Sequence, residues 1–148
     1  MRYPLGLFLA AAALAAGGCG GDDVELSPLC VEGQSAISRA LHAAPGRVAL
    51  ADGTLLSECV AGARDTGDLE SFGLIATRLA DGLAGRAARD PAAALQLGYL
   101  IGAARRGAAH SQGIPAEFVH RLEATSRRLP DRGRDALQRG LRAGAAGG

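Results

Sequence analysis

The residues of this chain best suited to chemistry are its three cysteines and three histidines, and their spacing limits what they can do together. Cys30 and Cys59 form one pair. His42 is the only histidine near them, so a metal site built on the pair would lack ligands. Glu117 and His120 stand three apart, on one face of any helix that carries them. That is the start of a two-ligand site, but with no third ligand in the motif it reads as a solvated pair. Ser57, Ser71, Ser111 and Ser126 lack the "GxSxG" setting of an activated nucleophile, and the serine of "GQSAI" has a glycine two before it but none two after. "ADGLAGRAA" has neither the spacing nor the lysine of a phosphate-binding loop. No catalytic residue, metal or cofactor is therefore expected. An enzyme would need His42, His110 or His120 to converge with acids in a cleft.

Composition narrows the classes further. Three Phe, two Tyr and no Trp leave little from which to build stacking platforms for sugars, bases or aromatic ligands. Every basic residue is arginine, and asparagine is absent too. Lysine and asparagine have AT-rich codons, so this bias points to a GC-rich genome and gives arginine itself no functional meaning. Charge is unevenly placed. Residues 20 to 70 carry nine acids and three arginines, whereas residues 71 to 148 carry twelve arginines and six acids. Residues 121 to 142 are the most basic stretch, with seven arginines against three acids. Nucleic acid is not an expected partner. The basic half has two readings, contact with an anionic partner such as lipid headgroups or a solvated helix surface, and the second is preferred.

The elements that would carry these residues are helical. Ser27-Pro28 is a helix start, with serine as cap and proline in the first turn. Cys30, Ile37 and Leu41 follow at helical spacing as far as Ala44. Asp52-Gly53 is a turn signal, read as a loop feeding a short helix from about Thr54, with a small hairpin as the alternative. That helix carries Leu55, Cys59 and Val60 inward and brings Cys59 to Cys30. From Gly67 to Ala88, Leu69, Phe72, Ala76, Leu79, Leu83 and Ala87 form one apolar stripe behind acidic caps. Asp90-Pro91 opens the next helix. It is apolar almost all round from Ala92 to Ala104, and so is the expected buried centre. Within it Ala94, Gly98 and Gly102 recur every four residues, which lets a neighbouring helix approach closely. A fifth helix runs from Pro115 to Leu129, with Ile114, Phe118, Leu122, Thr125 and Leu129 facing inward. A short last one covers Asp135 to Arg142, and the glycine-alanine tail, 143 to 148, should fray. The fold class expected is all-α, a small bundle of five or six helices over residues 27 to 142.

The front of the chain carries an address. Arg2 precedes an uncharged run whose apolar heart, Leu5 to Ala16, is about 12 residues, shorter than the roughly 20 of a spanning helix. The run closes on "AAGGC". This resembles the lipobox of bacterial lipoproteins, although Ala16 stands where an aliphatic such as leucine is usual. The resemblance covers residues 1 to 21 only. It implies cleavage between Gly18 and Cys19, lipid attachment at Cys19, and a signal peptide over 1 to 18. "GGDD" and the residues to 26 would then be a flexible tether. The other reading is a plain secretory signal cut near Ala16. Gly20 after Cys19, in place of aspartate, leans towards an outer membrane where the cell has one. In an exported chain the remaining pair, Cys30 and Cys59, implies a disulfide.

These readings converge on a lipid-anchored envelope protein whose helical domain is a non-catalytic interaction or structural module with an envelope partner. The alternative is a carrier for a small apolar ligand held between helices. An envelope enzyme is the third class.

Overall fold

A computed structural model describes residues 26–63, 65–127 and 129–148 of the chain. It is an all-α bundle, with six α-helices and no strand among the described residues. The expected signal peptide, and all of the expected tether except Leu26, lie outside them.

Local chemistry sets the helix boundaries. The Ser27 hydroxyl accepts from the Leu29 amide, and Pro28–Cys30 form one tight turn. The expected continuous helix breaks there, because Gly33 has φ +139°, a conformation no helix continues through. Helix α1 is therefore only Gln34–Leu41. The ambiguous stretch after it combines both readings. The Asp52 carboxylate accepts from the Thr54 amide, Ala49 and Leu55 make a single antiparallel bridge, and α2 (Leu56–Gly62) follows. Glu58 accepts from the Leu55 amide at 2.7 Å, satisfying one donor at the start of α2. Helix α3 (Thr66–Ala87) begins under Asp65, which accepts from the Asp68 amide at 2.8 Å. Helix α4 (Pro91–Gly107) begins under Asp90, which accepts from Ala92 at 2.9 Å. Helix α5 spans Ile114–Ser126 and α6 spans Asp131–Gly147.

Packing runs outward from α4, as its all-round apolar sequence requires. Ala93, Leu97, Tyr99, Leu100, Ile101 and Ala103 are all essentially inaccessible. The fully buried Tyr99 hydroxyl accepts from the Val48 amide at 3.3 Å, tying the α1–α2 connection to the centre. Phe72 of α3 and Phe118 of α5 meet edge to face, 5.7 Å between centroids, and lock those two helices together.

The contact between α4 and α6 is closest of all. A Cβ added at Gly98 would lie 2.1 Å from the Leu137 carbonyl oxygen, and one at Gly102 2.3 Å from that of Leu141. The reciprocal positions are as tight: Gly140 against the Leu95 carbonyl at 2.0 Å, and Gly144 against that of Tyr99 at 2.2 Å. Partner numbers rise together along both helices, so the two run parallel with backbones touching. The four-residue repeat in α4 thus does admit a neighbour.

Two further expectations fail. The last helix does not stop at Arg142, and the tail does not fray. It is helical to Gly147, with Gly144 buried. Propensity alone predicts fraying, but docking on α4 supplies the missing stability. Ile114 is not on a buried face: it is 53% exposed, at the first position of α5, and α5 packs inward through Phe118, Val119 and Leu122 instead. Thr125 is half-buried. At the other boundary, Leu26, expected in the tether, packs on the core.

Candidate functional site

The cysteine pair expected from sequence is brought together. Cys30 and Cys59 are joined as a disulfide with Cα atoms 5.6 Å apart, both fully buried. The turn at Pro28 points Cys30 inward, and the first turn of α2 delivers Cys59 to meet it. Just outside lies a small polar cluster. The Ser27 hydroxyl donates to Asp52 at 2.5 Å, and the Thr54 amide to its other oxygen at 3.0 Å. Ser27 first, then Thr54, holds the Asp52 carboxyl below its ordinary value, because both bonds favour the ionised form. Cys19, the expected lipid-bearing residue, lies outside the described residues.

The histidines do not converge. His42 caps the end of α1 and its Nδ1 stands 3.4 Å from the Gln96 amide nitrogen in α4. His110 lies in the exposed connection after α4. His120 on α5 has its Nδ1 3.9 Å from Glu123, three residues on, and Glu123 in turn accepts from the Arg105 guanidinium at 2.8 Å. The Glu117–His120 spacing therefore yields an exposed side chain, Glu117, and a histidine associated with a different glutamate. Among the described residues no three acids, histidines or cysteines gather in a metal-binding group.

A concave surface runs along the seam between α3 and α5. These helices are parallel, with Gly73 beside Phe118. At one end a groove of about 610 Å³ is lined by Thr77, Asp81, Gly85, Arg121 and Thr125. At the other, about 360 Å³ is lined by Leu69, Gly73, Leu74, Ile114 and Phe118. Thr77 and Arg121 border both, so the seam is continuous. Leu74 and Ile114 are among the most exposed large apolar side chains of the described residues, at 52% and 53%. Sequence reasoning missed this seam. Leu74 falls off the apolar stripe of α3, and that was the available signal.

The helix directions also sort charge between the two ends of the bundle. The N-terminal ends of α3 and α5 carry Asp65, Asp68, Glu70 and Glu117, beside Arg105 and Arg106 in the last turn of α4. The C-terminal ends of the same helices carry Arg86, Arg89 and Arg127, and the first turn of α6 adds Arg132 and Arg134. Gly133 lies 3.3 Å, measured from its added Cβ, from the Ala87 carbonyl, which places these arginines around one end. The cysteine pair belongs to the other end. Ser57, two residues before Cys59, abuts Gly107 at the C-terminal end of α4 and donates to the Gly148 carbonyl.

No known protein family, curated protein or solved structure matches the chain. No helix among the described residues is long and apolar enough to cross a membrane.

Proposed function

We propose that the chain is a lipid-anchored envelope protein, held by lipid on Cys19, whose helical domain acts as a non-catalytic interaction or structural module. The anchor rests on the lipobox-like residues 1 to 21. One observation carries the module reading over the carrier. The helix that a carrier would open around, α4, is closed by α6 at backbone contact along Gly98 and Gly102. A cavity between helices has no room to form there without separating the two backbones. The buried disulfide fits export, since such bonds persist in oxidising compartments.

The carrier remains as a second reading because Leu74 and Ile114 stand exposed on the rim of the α3–α5 seam. A small apolar ligand would lie in that surface groove and not in the core.

The test is the intact mass of the chain purified from native membranes, with and without reduction. A chain starting at Cys19 with added lipid, gaining the mass of two hydrogens on reduction, is the expected result. An unlipidated start removes the anchor, and two free thiols remove the export argument. Crosslinking in intact envelopes then distinguishes a module, which yields a protein adduct, from a carrier, which co-purifies with extractable lipid.

A further inference from the structure

We infer that the arginine-bearing end of the bundle, remote from the end that holds Ser27 and Cys30, binds an anionic polymer. The orientation part rests on the lipid-anchor reading above, and the binding part does not.

The two ends are well separated. Helix α4 has 17 residues, a length of about 25 Å at 1.5 Å per residue. The first described residues lie by its C-terminal end, through Ser27 on Asp52 and Cys30 on Cys59. The arginines lie by its N-terminal end, through Gly133 against Ala87 and Ala94. A tether leading into Leu26 therefore holds the arginine end away from the membrane.

Two of the arginines there are not placed as helix stability would place them. Arg86 suits the negative end of α3. Arg132 and Arg134 occupy the first turn of α6, where the helix dipole disfavours cations. Arg134 is offset by Asp131 at 3.0 Å. Arg132 has no ion-pair partner among the described residues. A GC-rich genome accounts for arginine in place of lysine, but not for cations at this position. The acids at this end are few and engaged: Asp90 caps α4 and Asp131 holds Arg134, leaving Asp135 on the next turn.

The form of the site indicates its partner. Arg86, Arg89, Arg127, Arg132 and Arg134 are all exposed and come from three helices and the α3–α4 connection. Nothing buries them into a cradle for a single small anion. Exposed cations spread over an end surface suit a chain of repeated negative charges, attracted by the summed field. The opposite end mixes Asp65, Asp68 and Glu70 with Arg105 and Arg106 of the last turn of α4, so its charges offset one another and the polymer is held less strongly there.

The test uses full-length protein and fluorescent polyphosphate as the probe. Binding is expected at low ionic strength, weakening as salt screens it. Arg86→Glu/Arg89→Glu/Arg132→Glu should weaken it at least tenfold. Arg47→Glu/Arg78→Glu/Arg142→Glu, which removes the same charge from the sides of the bundle, should weaken it less than twofold. Circular dichroism confirms that both variants fold. Equal weakening by the two, or no binding by the natural protein, overturns the assignment. Orientation is read on lipidated protein in phosphatidylcholine vesicles, by energy transfer from a dye at Ala88→Cys or Glu32→Cys to labelled headgroups. Strong transfer from Glu32→Cys and weak transfer from Ala88→Cys is expected, and the reverse overturns it. Strong transfer from Ala88→Cys confined to phosphatidylglycerol vesicles makes the partner a membrane and overturns the polymer. An unlipidated native mass defeats the anchor and leaves the polyphosphate result standing.

Discussion

Adding one methyl group at Gly98 should destabilise the domain, while the same change at Gly85 should stabilise it. Both glycines lie inside helices, where replacing glycine by alanine is worth about 1 kcal/mol of helix stability. At Gly85, on α3, a new Cβ meets nothing within 4 Å, so that gain appears undiminished. At Gly98 the new Cβ falls 2.1 Å from the Leu137 carbonyl oxygen and 2.9 Å from the Leu141 nitrogen. Both are backbone atoms, so no rotamer relieves the clash. The helices must part by roughly 1 Å to restore van der Waals contact, and Gly102, Gly140 and Gly144 lose their close contacts in the same movement. Overpacking of this kind costs typically about 1–3 kcal/mol and occasionally more. With no soft neighbour the upper end applies, and after the propensity gain a net loss of about 2 kcal/mol remains. Urea unfolding followed by far-ultraviolet circular dichroism measures both variants. The midpoint should fall for Gly98→Ala and rise for Gly85→Ala, at unchanged slope. A Gly98→Ala protein as stable as the parent would refute the backbone contact between α4 and α6.

Three other outcomes follow from the same structure. Reduction of Cys30–Cys59, which are 29 residues apart, should cost about 3–4 kcal/mol on the chain-entropy estimate, read as a drop in urea midpoint with added reductant. Ser27→Ala should raise the Asp52 pKa towards the ordinary carboxylate value of 3.8, as followed by NMR titration of its carboxyl carbon. Because the folded pKa is depressed, Asp52 contributes its stability above the unfolded pKa and loses it as pH falls through the folded value, so Ser27→Ala should flatten the acid limb of a stability–pH curve. Ser57→Ala together with Arg106→Ala should speed amide exchange over 143 to 147, because Ser57 donates to the Gly148 carbonyl and Arg106 to that of Ala146.

Much of the fold was legible because its signals are local. Ser27-Pro28 and Asp90-Pro91 mark starts through side-chain oxygens that satisfy free amides, and they do so here. The stripe from Leu69 to Ala87 lies on one face because 3.6 residues make a turn, and all six of its members are buried. Cys30 and Cys59 could be paired by elimination once export was read from the front of the chain. What was not legible depends on two segments at once. The exposure of Leu74 and Ile114 follows from how α3 and α5 are rotated about their seam, which Phe72 on Phe118 fixes and which no single stripe encodes.

The tail makes the sharpest case. Taken alone, "LRAGAAGG" has no large apolar side chain after Leu141 and two terminal glycines, and on propensity it should be disordered. Yet Gly140, Gly144 and Gly148 repeat at four, the same step as Gly98 and Gly102. A glycine stripe on one helix only removes side chains. Two such stripes in matching phase let carbonyls of each helix fill the positions where the other's side chains would stand. The contact therefore gains dispersion over many atoms at once, which offsets the helix cost of the glycines. It also explains why α6 tolerates an outer face rich in arginine. Its hold on the domain comes from the backbone contact on its inner face, which leaves Arg132, Arg139 and Arg142 exposed on the outer one.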